Sequence, residues 1–213
     1  MAPREYGQYD GVTRALELVG ERWAMLIVRD LLVGPRRNGE LAAGLPRIPS
    51  NILAARLKEL QAAGIIRRAP RSRIIIYELT PFGRELEPVV LALGAWGFKA
   101  LGEPREEQII TPDAMTISLR TAFRPQVAAT LPATAYAAHV GPAELLIRVD
   151  GPALDVSRGD GPADLAFAAG PGIRRLLSGE LAPDRAIATG EVQVLRGPGA
   201  LLDRFASTFH LAA

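Results

Sequence analysis

The stretch that decides the fold reads GERWAMLIVRDLLVGPRRNGELAAGLPRIPSNILAARLKELQAAGIIRR, residues 20–68. Its apolar residues recur with a helical period, and each run is cut short by Gly or Pro. Trp23, Leu26, Ile27 and Leu31 mark one helix, which stops near Gly34-Pro35 because proline lacks the N–H that a continuing helix needs. A short helix over 38–43 follows, capped by Asn38 with Leu41 and Leu45 turned inward. After the turn 44–49, a further helix starts at Pro49 or Ser50. Its inward row is Leu53, Leu57 and Leu60, and Gly64 takes the left-handed position that ends it.

Upstream, Val12, Ala15, Leu16 and Val19 fall at i, i+3, i+4 and i+7 and predict an amphipathic helix over 10–20, capped by Asp10. Downstream, 65–69 and 74–79 are β-branched apolar runs around Pro70-Arg71-Ser72-Arg73, a hairpin with a basic tip. A long helix comes next, capped by Thr80 with Pro81 in its first turn. Its wide stripe is Phe82, Leu86, Val89, Val90, Leu93 and Trp96. Helix, helix, short helix, turn, helix, basic hairpin, long helix is the order of a winged helix-turn-helix.

Charge follows the same elements. The 213 residues carry a formal +2, but residues 1–104 hold 15 basic and 11 acidic groups while the remainder holds 10 and 12. Between Arg36 and Arg73, nine cations (Arg36, Arg37, Arg47, Arg56, Lys58, Arg67, Arg68, Arg71, Arg73) face only Glu40 and Glu59. A solvated basic face has no reason to concentrate on one helix, its approach and the hairpin, so a polyanion is the expected partner.

Residues 20–68, followed by YELTPFGREL at 77–86, resemble the HxlR family of bacterial winged-helix transcription factors, relatives of MarR. The resemblance covers about residues 6–100 and rests on Gly-x-Arg-Trp, Gly-Pro-x-Arg, Arg-Leu-x-x-Leu-x-x-x-Gly and Tyr-x-Leu-Thr-x-x-Gly. Members that sense electrophiles or oxidants carry an N-terminal cysteine near the position of Asp10 or Gly11. This chain has no cysteine, so it offers no thiol to oxidise, no disulfide and no thiolate metal site.

The resemblance implies a homodimeric, sequence-specific DNA-binding transcriptional regulator, a repressor in the first instance. The helix from Ser50 is expected in the major groove of double-stranded DNA, presenting Ser50, Asn51, Ala54, Ala55 and Lys58. Asn51 is the best base reader, since its amide pairs with adenine, whereas the alanines offer methyl contact with thymine. Arg71 and Arg73 are expected on phosphates or in the minor groove, and Arg36, Arg37 and Arg47 on backbone beside the helix. Arg56 is open between DNA and an ion pair with Glu59 or Glu40. The first and fifth helices are expected to form the dimer, with half-sites roughly 34 Å apart.

Polar residues 102–108 read as a linker, dividing a winged domain, 1–101, from a second domain, 111–213. In the second, Thr111-Pro112-Asp113 opens a helix to 123, although Met115, Ile117 and Leu119 alternate as a strand would. Runs 134–140, 144–149, 153–157, 165–168 and 191–195 read as an antiparallel sheet covered by helices over 172–178, 183–188 and 198–209. The overall class is α+β. The stretch LAFAAGPGIRRLLSGELAPDRAIATGEVQVLRGPGALLDRF, residues 165–205, resembles the sterol-carrier-protein-like fold. That resemblance implies a pocket for an apolar small-molecule effector, with Tyr136, Phe167, Leu176, Phe205 and Phe209 as its lining. The alternative is a constitutive regulator whose second domain is a structural or protein-interaction module, and a third reading is a carrier or enzyme for an apolar substrate.

Catalytic chemistry has little to stand on. His139 and His210 are the only imidazoles, and Gly170-Pro171-Gly172 with Arg174-Arg175, like Gly197-Pro198-Gly199, is no P-loop or dinucleotide fingerprint. Neither a cofactor nor a metal is expected. Residues 1–9 hold no apolar run of signal-peptide type, and the run 89–98 is too short to span a bilayer, so a cytoplasmic location with no membrane contact is expected.

Overall fold

A computed structural model describes residues 5–105 and 107–211. The chain divides into two compact units, Met1–Val90 and Leu91–Ala213. The division falls inside a helix, ahead of the polar stretch 102–108, of which residue 106 lies outside the described residues.

In the first unit, α1 spans Gly11–Val19, α2 Ala24–Val33, α3 Asn38–Gly44 and α4 Ser50–Ala62. Asp10 caps α1 as expected, its carboxylate accepting from the N–H groups of Val12 at 2.8 Å and Thr13 at 3.0 Å. Arg37, not Asn38, is the cap of α3. The backbone of Arg36 is bridged to Tyr77 in both directions, at 2.9 and 2.7 Å, so the chain stays extended through Arg37, whose N–H then donates to the Glu40 carboxylate at 2.6 Å. The leucine row of α4 is buried, with Leu53, Leu57 and Leu60 at 1–2% exposure beside Ile27, Leu31, Leu41, Leu45 and Ile65. Gly64, at φ +70°, closes α4: its N–H reaches Gln61 O and the Ile65 N–H reaches Leu60 O, both at 3.0 Å.

The hairpin is β1, Ile66–Arg71, against β2, Ile74–Leu79, in register from Ile66↔Leu79 to Arg71↔Ile74 with Ser72 at φ +54° at the tip. Thr80 ties its base to the end of α4. Its hydroxyl donates to Gly64 O at 2.6 Å and accepts from Gly83 N–H at 3.0 Å, while its own N–H reaches Ile65 O at 3.0 Å. Gly83 sits so close to Ile65 that a β-carbon would press into that carbonyl oxygen.

The expected single long helix is broken into α5, Pro81–Arg84, and α6, Glu87–Phe98. Pro88 is the physical reason: it has no N–H to give to Arg84, and its ring would clash with that carbonyl. The apolar stripes of the first and fifth expected helices are there, but much of them meets solvent. Val12 is 71% exposed, Leu16 48%, Val89 46%, Leu93 49% and Trp96 75%, whereas Val19 and Val90 are buried.

The second unit contains α7 (Pro112–Ala122), α8 (Pro125–Ala128), β3 (Thr134–Val140), β4 (Ala143–Asp150), β5 (Ala153–Arg158), β6 (Leu165–Ala169), α9 (Ile173–Leu177), α10 (Pro183–Ala188), β7 (Val192–Arg196) and α11 (Leu201–Thr208). The five strands form one sheet in the order β5-β4-β3-β6-β7, with β3 and β6 parallel and the other neighbours antiparallel. The sheet is therefore mixed rather than antiparallel throughout. The six residues between β5 and β6 run across the face that carries Leu146, where a β-carbon on Gly161 would stand 2.8 Å from Leu146 Cδ2. Asp164 then grips the start of β3, its N–H donating to Ala135 O at 2.9 Å and its carboxylate accepting from Ala135 N–H at 2.8 Å. β6 is delivered beside β3 pointing the same way.

On the other face lies the core, with α7 and α11 against the sheet. Phe205 sits 5.2 Å from the Tyr136 ring, 5.1 Å from Phe167 and 4.8 Å from Phe209, centroid to centroid. Ala95 and Phe98 of α6 pack on this cluster.

Candidate nucleic-acid interface

Burial of the leucine row fixes which side of α4 faces outward. Ser50, Asn51, Ala54 and Lys58 are exposed and Ala55 is half-buried. Pro49 precedes the helix with no side-chain cap, so the first amide N–H groups of α4 are left for an outside acceptor, and the helix N-terminus favours an anion there.

α4, the residues before it and the hairpin all carry exposed cations. Arg47 stands just before α4, Lys58 lies on it, and Arg68 and Arg73 lie on the hairpin; all four are exposed, and among the described residues none has an acidic side chain within ion-pair distance. Arg71 is also exposed, with Glu78 3.9 Å away. Arg37 is exposed at the cap of α3. Arg36 is more constrained than the sequence suggests, half-buried with its Nη1 donating to Pro35 O at 3.0 Å and its backbone serving as a third strand beside the hairpin.

Two features escaped the sequence reading. Glu78, just outside the basic stretch, takes Arg67 at 2.7 Å, because the pairing Arg67↔Glu78 puts both on one face of the hairpin. Alternation along β1 then leaves Arg68 on the opposite face, which was legible in principle from the strand period. Arg56 resolves toward an ion pair. Its side chain is 11% exposed and bound to Glu59 and, at 3.4 Å, to Glu21 rather than Glu40.

The five residues expected to line an apolar pocket come together, but in the packed core. Tyr136, Phe167, Leu176, Phe205 and Phe209 are each at most 1% exposed. Burial pushes the Tyr136 phenol up to about 12, with the nearby Thr134 side chain opposing the shift. Arg204 in turn donates to Thr134 Oγ1 at 2.7 Å. His139 is half-buried in β3, and His210 packs beside Gly179. Among the described residues no group of His, Asp and Glu side chains could hold a metal ion, and no helix is long and apolar enough to cross a membrane.

The model of the HxlR-like helix-turn-helix family matches residues 18–105. YvaP of Bacillus subtilis, an uncharacterized HTH-type transcriptional regulator, is 36% identical over 86 residues, which are 39% of this chain and 80% of YvaP. The chain belongs to the HxlR-like family. An uncharacterized HTH-type transcriptional regulator of Mycobacterium tuberculosis is 43% identical over 98 residues, 45% of this chain; the match spans 61% of that relative's length. A crystal structure of the HTH-type transcriptional regulator YtcD aligns at 34% identity and a TM-score of 0.42, covering 45% of this chain and all 100% of that one. The HxlR-like segment contains every cation named on α4, its approach and the hairpin, and both residues, Thr80 and Gly83, that join hairpin to α4.

Proposed function

We propose that this chain is a homodimeric, sequence-specific DNA-binding regulator of transcription that acts as a repressor by occupying its operator. The observation that carries the reading is the set of exposed cations without acidic partners, Arg47, Lys58, Arg68 and Arg73, on α4, its approach and the hairpin. In this reading α4 enters the major groove, Asn51 reads an adenine edge and Ala54 touches a thymine methyl. Arg73 and Arg71 follow phosphates or the minor groove from the hairpin tip, and Arg37 and Arg47, with the backbone of Ser50, hold the phosphates beside α4. Arg36 contributes mainly by bracing the hairpin.

The dimer is supported by the exposed rows on α1 (Val12, Leu16) and α6 (Val89, Leu93, Trp96), which a second copy would cover. For the second unit, the sterol-carrier-like reading places an apolar effector among Tyr136, Phe167, Leu176, Phe205 and Phe209. The mutual contacts of those rings favour the other reading, a structural or protein-interaction module, because a ligand there would have to displace close-packed side chains. Thiol oxidation has no atom to act on in this chain.

Two measurements test the proposal. Selection of fragments from genomic DNA should return a shared, two-fold symmetric site bound by a dimer in sedimentation; equal recovery of all fragments would refute sequence specificity. Mass spectrometry of an organic extract of the purified protein should find no stoichiometric small molecule, and a bound apolar compound would restore the effector reading of the second unit.

A further inference from the structure

The hairpin carries more apolar surface than its attachment to the helices uses. Along one of its faces the cross-strand pairs are Ile66↔Leu79, Arg68↔Tyr77 and Pro70↔Ile75. The first pair is buried, at 2% and 3% exposure, and belongs to the core. The last pair does not: Ile75 is 42% exposed, and Pro70 opposite it is exposed as well. On the other face Ala69 pairs with Ile76, which is buried at 6% exposure, so the hairpin is anchored without Ile75. A single apolar side chain in solvent is ordinary. Here two stand directly opposite each other at the distal end.

Their setting is cationic. Arg68 lies on the same face, one pair nearer the base, and Arg71 and Arg73 flank Ser72 at the tip; all three are exposed. From Leu60 to Tyr77 the chain has no carboxylate. Glu78, at the base, is held by Arg67 at 2.7 Å. An apolar pair with cations on both strands and no acid beside it matches a partner that has phosphates at its rim and flat hydrocarbon between them. The minor groove of a duplex offers both, its base faces becoming accessible where a step opens. Both side chains are also stiff, proline through its ring and isoleucine through branching at Cβ, so ordering them on insertion costs little entropy.

We propose that Pro70 and Ile75 form a wedge that enters the minor groove and partly unstacks one base step, so that the protein kinks its operator. Arg68, Arg71 and Arg73 hold the phosphates on either side. Pyrimidine–purine steps open most easily, so the wedge selects such a step without any hydrogen bond to a base. This inference rests on the DNA-binding reading and adds to it a distortion of the duplex.

The test uses the full chain and the operator returned by the genomic selection, labelled at its two ends with a donor and an acceptor dye. Binding of the wild-type protein should raise energy transfer by bringing the ends together. Ile75→Thr keeps a β-branched strand former at an exposed site and should leave the transfer near that of the free duplex. Its operator affinity should fall about tenfold through lost apolar burial, while its affinity for random duplex and its salt slope stay unchanged because no charge is altered. Ile75→Leu retains the apolar bulk and should retain the kink, and circular dichroism checks that both variants are folded. Replacing the operator's pyrimidine–purine steps by AA one at a time should weaken the wild type at the wedged step and leave Ile75→Thr unmoved there. A wild-type complex whose DNA is as straight as the free duplex overturns the wedge and leaves the regulator reading standing, as does an Ile75→Thr complex bent as far as the wild type. Equal losses on operator and random duplex in Ile75→Thr overturn it too. A chain that binds no duplex, or prefers no fragment, defeats the regulator reading itself, and the wedge falls with it.

Discussion

Replacing Arg73 by alanine removes one hairpin cation that the protein itself does not neutralise. Each phosphate contact contributes about 0.9 to the slope of log affinity against log salt. Loss of Arg73 should therefore flatten the slope by about 0.9 per protomer and roughly 1.8 for a dimer. Over a fourfold rise in salt, wild-type affinity should then fall about twelvefold more than that of the variant dimer, almost independently of the DNA sequence. Arg67→Ala is the internal control. Arg67 already gives its charge to Glu78 at 2.7 Å, and its removal frees Glu78 for Arg71, now 3.9 Å away, so its slope should change differently from that of Arg73→Ala. Because Arg73 is exposed, its thermal stability should move by no more than about 0.5 kcal/mol. Fluorescence anisotropy on operator and random duplexes at several salt concentrations reads all of this. An unchanged slope in Arg73→Ala would show that the hairpin tip does not meet the backbone, and the docking geometry would have to be abandoned.

Asn51→Ala should cost about 1–3 kcal/mol on the operator and relax preference at one base pair, leaving random DNA untouched; equal losses on both would reassign Asn51 to the backbone. Gly83→Ala forces a β-carbon against the Ile65 carbonyl, so chemical denaturation should report a loss of roughly 1–3 kcal/mol, and wild-type stability would mean that the hairpin and α4 are not joined as described. Tyr136 titrates higher in the folded chain, about 12 against a usual 10, because burial disfavours its phenolate. The unfolded chain thus loses this proton first: stability is intact below about 10 and falls as pH rises from there toward 12. Tyr136→Phe should flatten that decline, and an unaltered pH dependence of unfolding would place the hydroxyl in water.

The local grammar of the chain was legible residue by residue. Asp10, Thr80 and Thr111 cap the helices they precede, and Gly64 ends α4, because a cap acts within one turn of itself. The strands from Thr134 and Ala153 likewise follow from alternation and turn residues. Pro88 and Pro125, which opens α8, are local signals that the sequence reading passed over, and the apolar stripe that runs past Pro88 is real even though the helix is not continuous. At the candidate interface, the exposure of Ser50, Asn51, Ala54 and Lys58 followed from the leucine row on the opposite side.

Sequence alone therefore determined most of the segments that become helices and strands, which face of α4 is apolar, and that cations concentrate between Arg36 and Arg73. Tertiary structure decided what each face and charge meets. It set β6 parallel to β3, bridged Arg36 to Tyr77, took Arg56 and Arg67 into ion pairs with Glu21, Glu59 and Glu78, and closed the aromatic residues of the second unit upon one another. The reason is range. Periodicity and capping act over a few residues of backbone, while an ion pair or a packed ring depends on distances in space between residues that the chain keeps far apart.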